Sequence, residues 1–362
     1  MAPIALTTFG FTRRGSVIAR AAARLVRIDL GVRARTARLV GGALLGAAAC
    51  AGPAAAQPDG VAYADPPLAH RFGETRPASR GLLADAEAWV CGAPSAYDYT
   101  PYGGAYAGGG RYNPGSVDAA APWAAKLEIV EERFADGGMT VSNCSAAAVA
   151  PGWLVTAAHC VGQERWVRVE ATLGARDAQA PSAMKRSAAL ALCHTKFNPH
   201  DLSYDVALIK LDSPLPPEFP TLRLATSAEA DRLTPGAAAL SAGWGRISSS
   251  EISQVLRTAD VRVVDPSRRS DGMIVAAPER NEHSLCVGES GAPLVADVGA
   301  GAALFGVFSS VDAYYNPDTG EMIELCEGFE ARSYFTPLRG LQRWVRRAIA
   351  ACEAAPQRCG FL

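Results

Sequence analysis

The chain reads as an all-β protein, and three observations carry that reading. Short apolar or alternating runs recur between turn residues from residue 121 onward, only one stretch has helical spacing, and no fixed-period repeat organises them. The runs are 126–130, 153–156, 166–170, 206–211, 239–243, 259–264, 292–295 and 304–308. Short strands spaced this regularly point to barrels or a sandwich. The exception is 338–351, where Leu341, Trp344, Val345 and Ala348 share one helical face and arginines take the other.

A length of 362 residues allows one large core or two smaller ones, and a 49% hydrophobic, 20% charged composition excludes a disordered or fibrous chain. Residues 1–56 read as a signal peptide with a long basic lead. Eight arginines lie between Arg13 and Arg38 against one acid, Asp29, followed by an apolar run over 39–51 and by Ala54, Ala55 and Ala56. That run is shorter than the roughly 20 apolar residues a membrane span needs. Membrane attachment would require lipidation of Cys50, although Ala47 stands where such motifs usually carry leucine. Arg13 and Arg14 faintly match twin-arginine export, but Arg20, Arg24 and Arg27 interrupt what should follow, and a wrongly chosen start codon would equally explain the length of the lead. The predicted location is secreted or periplasmic.

Without residues 1–56 the net charge moves from −1 to about −8, which argues against a nucleic-acid partner. Nine cysteines become eight if Cys50 leaves, and an even count in an exported chain suggests disulfides. Residues 57–115 are rich in Pro, Gly, Ala and Tyr and read as a pro-segment or flexible extension, with Cys91 as an anchoring residue and Arg111 as an exposed cleavage candidate. The domain proper is placed at 116–351, dividing at about 220–236, with a tail at 352–362.

The chemistry centres on Ser290, in a Gly-Glu-Ser-Gly-Ala-Pro run from Gly288 to Pro293. A serine hydroxyl is a poor nucleophile near neutral pH and needs a histidine base, a carboxylate to orient that base, and donors for the developing anion. His159 ends a Thr-Ala-Ala-His run before Cys160, and Asp205 opens an Asp-Val-Ala-Leu strand. The same serine run approximates the nucleophile elbow of α/β-hydrolases, but that fold places its histidine after the serine, whereas His70, His159, His194, His200 and His283 all precede Ser290. Cys193, His194 and His200 near Asp205 raise a metal site, yet the ligand set is too loose to assign one. No cofactor pattern is present.

These three motifs, in this order and with 46 and 85 residues between them, resemble those of the chymotrypsin/trypsin-like serine proteases, over about residues 120–347. The resemblance implies two antiparallel six-stranded β-barrels followed by the C-terminal helix, with His159, Asp205 and Ser290 in the cleft between the barrels. Ser290 would attack a peptide carbonyl, His159 would relay its proton, Asp205 would orient His159, and the backbone N–H groups of Gly288 and Ser290 would form the oxyanion hole. The resemblance also implies disulfides Cys144–Cys160 and Cys286–Cys326. Cys91–Cys193 and Cys352–Cys359 are one arrangement of the remaining cysteines that the sequence allows. The partner implied is a polypeptide substrate, together with an activating protease.

The chain departs from the family pattern at several points. Glu289 stands where relatives carry the aspartate that pairs with the N-terminal amine released on activation, and no Ile-Val-Gly-Gly start is present near Arg111. Ala292 replaces a glycine, which is tolerable if the backbone there does not need positive φ. Ser284 lies where members that cleave after Arg or Lys carry an aspartate, and with Val311 and Ser333 it outlines a neutral pocket for small or apolar side chains. An exported endopeptidase is the leading reading; a catalytically silent binding or regulatory protein on the same fold is the alternative.

Overall fold

Burial alternates along the strand at 257–265 as a sheet with one inward face requires. Between Arg257 and Asp265, Ala259, Val261 and Val263 point inward while Thr258, Asp260 and Arg262 face solvent. The structure, a computed structural model, describes residues 87–92, 113, 115, 118–132, 138–162, 165–247, 251–267, 272–279, 285–315, 322–324, 331–356 and 359. The signal segment, Cys50 and Arg111 lie outside the described residues.

The chain forms two barrels. The first contains β2 (Ala124–Glu132), β3 (Met139–Ala150), β4 (Trp153–Thr156), β5 (Arg165–Leu173), β6 (Met184–His194) and β7 (Ala207–Leu211), and the β6–β7 pairing closes it. A further strand, β1 (Ala88–Gly92), adds to the outer side of β6. The second closed barrel contains β8 (Ala238–Gly243), β9 (Arg257–Asp265), β10 (Ile274–Pro278), β11 (Pro293–Ala296), β12 (Ala303–Val311) and β15 (Ser333–Pro337). β13 (Ala313–Tyr315) and β14 (Met322–Glu324) form a separate hairpin. Every strand pairing within the barrels is antiparallel, the two-barrel architecture that the resemblance implied.

All eight sequence runs lie in strands, but β3, β6, β10 and β15 were not foreseen. β3 and β6 carry several alanines, whose weak β-propensity hides the strand, and their burial is continuous over 144–148 and 190–194, so no alternation marks them. The extension read as loose also supplies β1, which Cys91 bonds to Cys193 of β6.

Each barrel has its own core. Leu127, Ile129, Leu154, Leu173, Leu190 and Leu192 fill the first, and Val261, Ile274, Leu294, Phe308 and Phe335 fill the second, where the two phenylalanine rings meet edge to face at 5.5 Å. A short helix, α1 (Ser227–Ala230), lies in the connection between β7 and β8. Thr226 and Glu229 close it with a reciprocal capping box. Helix α2 runs over Gln342–Ala354 rather than from 338, because Gly340 turns the chain at φ +80° first. Its Trp344, Val345 and Ala348 join the first barrel's core, and Trp344 Nε1 donates to Glu87 O at 3.0 Å beside β1. Cys352–Cys359 fastens the end of α2. Among the described residues no helix is long and apolar enough to cross a membrane.

Candidate active site

The histidine sits where the first barrel gives out. β4 ends at Thr156, and residues 158–160 form one 3-10 turn, pinned to β3 by the Cys144–Cys160 disulfide. His159 is about one-fifth exposed, whereas Asp205 is fully buried. Asp205 accepts the backbone N–H of His159 on Oδ1 at 2.8 Å and meets His159 Nδ1 with Oδ2 at 2.7 Å. An ionised Asp205 requires Nδ1 to carry the proton, which leaves the Nε2 lone pair free. Burial pulls the His159 pKa down, but the charge and hydrogen bond of Asp205 outweigh it, so the net shift is upward.

A residue the sequence reading missed completes this carboxylate. Ser309 in β12 donates its hydroxyl to Asp205 Oδ2 at 2.6 Å, across 104 residues of sequence. Only its place in a Ser-Ser pair just before Val311 marked it. The turn that delivers Asp205 is held in costly backbone geometry, with Leu202 at φ 54° and Tyr204 at φ 55°. Tyr204 is braced by stacking on His194 at 4.8 Å.

Ser290 comes from the second barrel, in the turn before β11. Gly288 and Gly291 on either side have φ +89° and +87°, where only glycine is unstrained. A side chain on Gly291 would also lie 2.1 Å from Ser145 O and from Thr156 Oγ1, so the serine turn abuts the segment leading into His159. Ser290 is half-buried, and its carbonyl accepts from Ser145 N at 2.7 Å. The Val287 carbonyl accepts from Arg246 N at 2.8 Å, and because a trans peptide opposes its C=O and N–H, the Gly288 N–H is turned away from Arg246. Among the described residues neither the Gly288 nor the Ser290 N–H has a protein acceptor. Ala292 has no positive φ, so its methyl adds no backbone strain.

Glu289 folds back into its own loop. Its carboxylate accepts the Cys286 N–H at 2.5 Å and that of Gly245. The space for its extra methylene comes from glycines: a Cβ on Gly245 would lie 2.4 Å from Glu289 Cδ, and one on Gly243 would lie 3.2 Å from Cγ. Burial pushes the Glu289 pKa up to about 7, against the lowering effect of the Cys286 N–H, the Arg257 charge and the Gly245 N–H.

Of the residues expected to line a pocket, Val311 and Ser333 are direct partners across the β12–β15 ladder, with Ser333 fully buried. Ser284 and Cys326 lie outside the described residues; Cys286 is disulfide-bonded. Cys193 and the Cys144/Cys160 pair near His159 are consumed in disulfides, so none offers a thiolate to a metal.

Two closed antiparallel barrels that bring a histidine–aspartate pair against a serine turn make up the chymotrypsin-like fold of serine proteases. Comparison with known proteins narrows this. The Trypsin family model matches residues 107–326. Human granzyme M is 30% identical over 179 residues, covering 46% of this chain and 69% of its own length. Kallikrein-15 of Saguinus oedipus is 26% identical over 232 residues, covering 57% of this chain and 82% of its own. The solved structure of GrC superposes with a TM-score of 0.51 at 20% identity over 65% of this chain and 97% of that one, a likeness of fold. The chain belongs to the trypsin family and is a serine-type endopeptidase that acts on polypeptides.

Proposed function

We propose that Ser290, His159 and Asp205 are the catalytic triad of an exported endopeptidase that works through an acyl-enzyme. His159 Nε2 takes the Ser290 hydroxyl proton as the oxygen attacks the scissile carbonyl. The same proton then passes to the leaving amine, and water repeats the cycle to release the acyl group. Asp205 holds the Nδ1–H tautomer and stabilises the imidazolium; Ser309 keeps that carboxylate in place. The N–H groups of Gly288 and Ser290 stabilise the oxyanion. The observation that carries this reading is the 2.7 Å contact between His159 Nδ1 and a buried Asp205.

Substrate preference follows from the second barrel. Val311 opposite Ser333 places no charge among the described pocket positions, which supports cleavage after small or apolar side chains. Disulfides Cys91–Cys193, Cys144–Cys160 and Cys352–Cys359 support an exported protein. Processing by another protease near Arg111 is part of the same proposal, with the new amine approaching Glu289. The test is mass-resolved labelling by a serine-directed phosphonate beside a Ser290→Ala control, with the N-terminus sequenced in the same sample. Labelling that disappears in the control supports the enzyme. A folded, processed protein that takes no label leaves a binding protein on a protease fold.

A further inference from the structure

We infer that Ser145 is a positioning residue for the oxyanion hole, acting through its hydroxyl across the boundary between the barrels; this rests on the triad reading above. Ser145 belongs to β3 of the first barrel and is completely buried. A buried hydroxyl needs partners, and both of its partners lie on the second-barrel side. Its Oγ donates to the Gly288 carbonyl at 3.3 Å and accepts the Trp244 N–H at 3.1 Å. The Ser145 backbone N–H donates to the Ser290 carbonyl at 2.7 Å, and its own carbonyl accepts from Thr156 Oγ1 at 2.8 Å.

The significance lies in which carbonyls these bonds hold. An N–H is aimed by fixing the carbonyls around it, because each peptide unit is planar. Four consecutive carbonyls in the serine turn are anchored: Val287 by Arg246 N–H, Gly288 by the Ser145 hydroxyl, Glu289 by Ala292 N–H and Ser290 by Ser145 N–H. Ser145 supplies two of the four anchors, and the only one made by a side chain. The Gly288 anchor sits between the peptides whose N–H groups face the anion. Gly243 keeps the site open for it, since a Cβ there would lie 2.6 Å from Ser145 Oγ. Ser145 also follows Cys144, whose bond to Cys160 reaches the residue after His159. The base and the oxyanion donors are thereby referred to one rigid point.

Ser145→Ala keeps the backbone anchor and deletes the hydroxyl. Complete removal of an oxyanion donor costs ~10²–10³ in kcat, and loosening one should cost about tenfold. The experiment measures, for wild type, Ser145→Ala and Ser145→Thr, the rate of phosphonate labelling and the kcat, KM and pH profile on a peptide amide, all per titrated active site. Normalising to titrated sites removes any loss through misfolding. The expected result is a kcat and labelling rate about tenfold lower in Ser145→Ala, with KM and the acid limb set by His159 unmoved, and recovery in Ser145→Thr. Wild-type labelling with an unchanged rate in Ser145→Ala overturns the positioning role alone, as does failure of the threonine to recover it. Absence of labelling in the wild type overturns the triad reading and this role with it.

Discussion

Glu289 carries a buried charge whose cost is measurable as a pH profile. Its pKa rises from the ordinary 4.5 to about 7, first because burial penalises the carboxylate, with partial relief from Cys286 N–H, Arg257 and Gly245 N–H. A carboxyl whose folded pKa is raised holds its proton more tightly in the folded chain. Its contribution to stability is therefore full below about pH 4.5 and is lost as pH rises through about 7. That gap corresponds to roughly 3 kcal/mol, at about 1.4 kcal/mol per tenfold. Glu289→Gln removes the charge and costs about 1 kcal/mol at low pH, because an NH2 group, which cannot accept, replaces one oxygen of the protonated carboxyl beside two N–H donors. We expect urea unfolding of Ser290→Ala protein, which cannot digest itself, to show the glutamine variant gaining roughly 3 kcal/mol on its parent between about pH 4.5 and about pH 8. A difference that stays flat, or that moves toward the glutamate as pH rises, would refute the argument that burial outweighs the local N–H donors. The difference curve is needed because His194 titrates with the opposite sign over an overlapping range.

Burial, and secondarily Lys196, lowers the His194 pKa from 6.5 to about 4, so its contribution is full above about 6.5 and is lost as pH falls through about 4. Taken as the difference from His194→Gln, acid unfolding curves should show the parent losing roughly 3 kcal/mol over that interval. Asp205→Asn should lower kcat by about 10⁴ with KM nearly unchanged, since an amide no longer dictates which ring nitrogen of His159 is protonated; a loss of tenfold or less, read by active-site-titrated kinetics, would count against the assignment. Ser309→Ala removes the 2.6 Å bond to Asp205 and should lower kcat/KM by about tenfold. Gly291→Ala should abolish accumulation of folded protein, because its methyl meets a backbone oxygen at 2.1 Å and its φ is +87°; recovery of normal yield and melting temperature would contradict that geometry.

The legible parts of the fold were those where one residue type has one use. Segments dominated by large apolar residues, such as Trp-Leu-Val in β4 and Leu-Ile in β7, announced themselves, as did the Trp344 face of α2. Alanine strands did not. Residues 184–194 form an eleven-residue strand whose Ala191 is as buried as Leu190, yet alanine is as much at home in a helix. β1 was hidden for a different reason: a five-residue strand in a Gly- and Pro-rich extension acquires its pairing only from β6 and the Cys193 partner.

By itself the sequence determined the chemistry on offer: a serine between glycines, a histidine beside a cysteine, and an aspartate opening a strand, in an order that excludes an α/β-hydrolase. It also determined the glycines at 288 and 291, because no other residue adopts their backbone cheaply. Only the tertiary structure decided what surrounds them. Ser309 reaches Asp205 across 104 residues, and Ser145 reaches Gly288 across 143. Glu289 fits because Gly243 and Gly245, more than forty residues away, leave it room. Such contacts have no local signature, since a hydroxyl or a missing side chain acquires its role from whatever the closed barrels bring within hydrogen-bond distance.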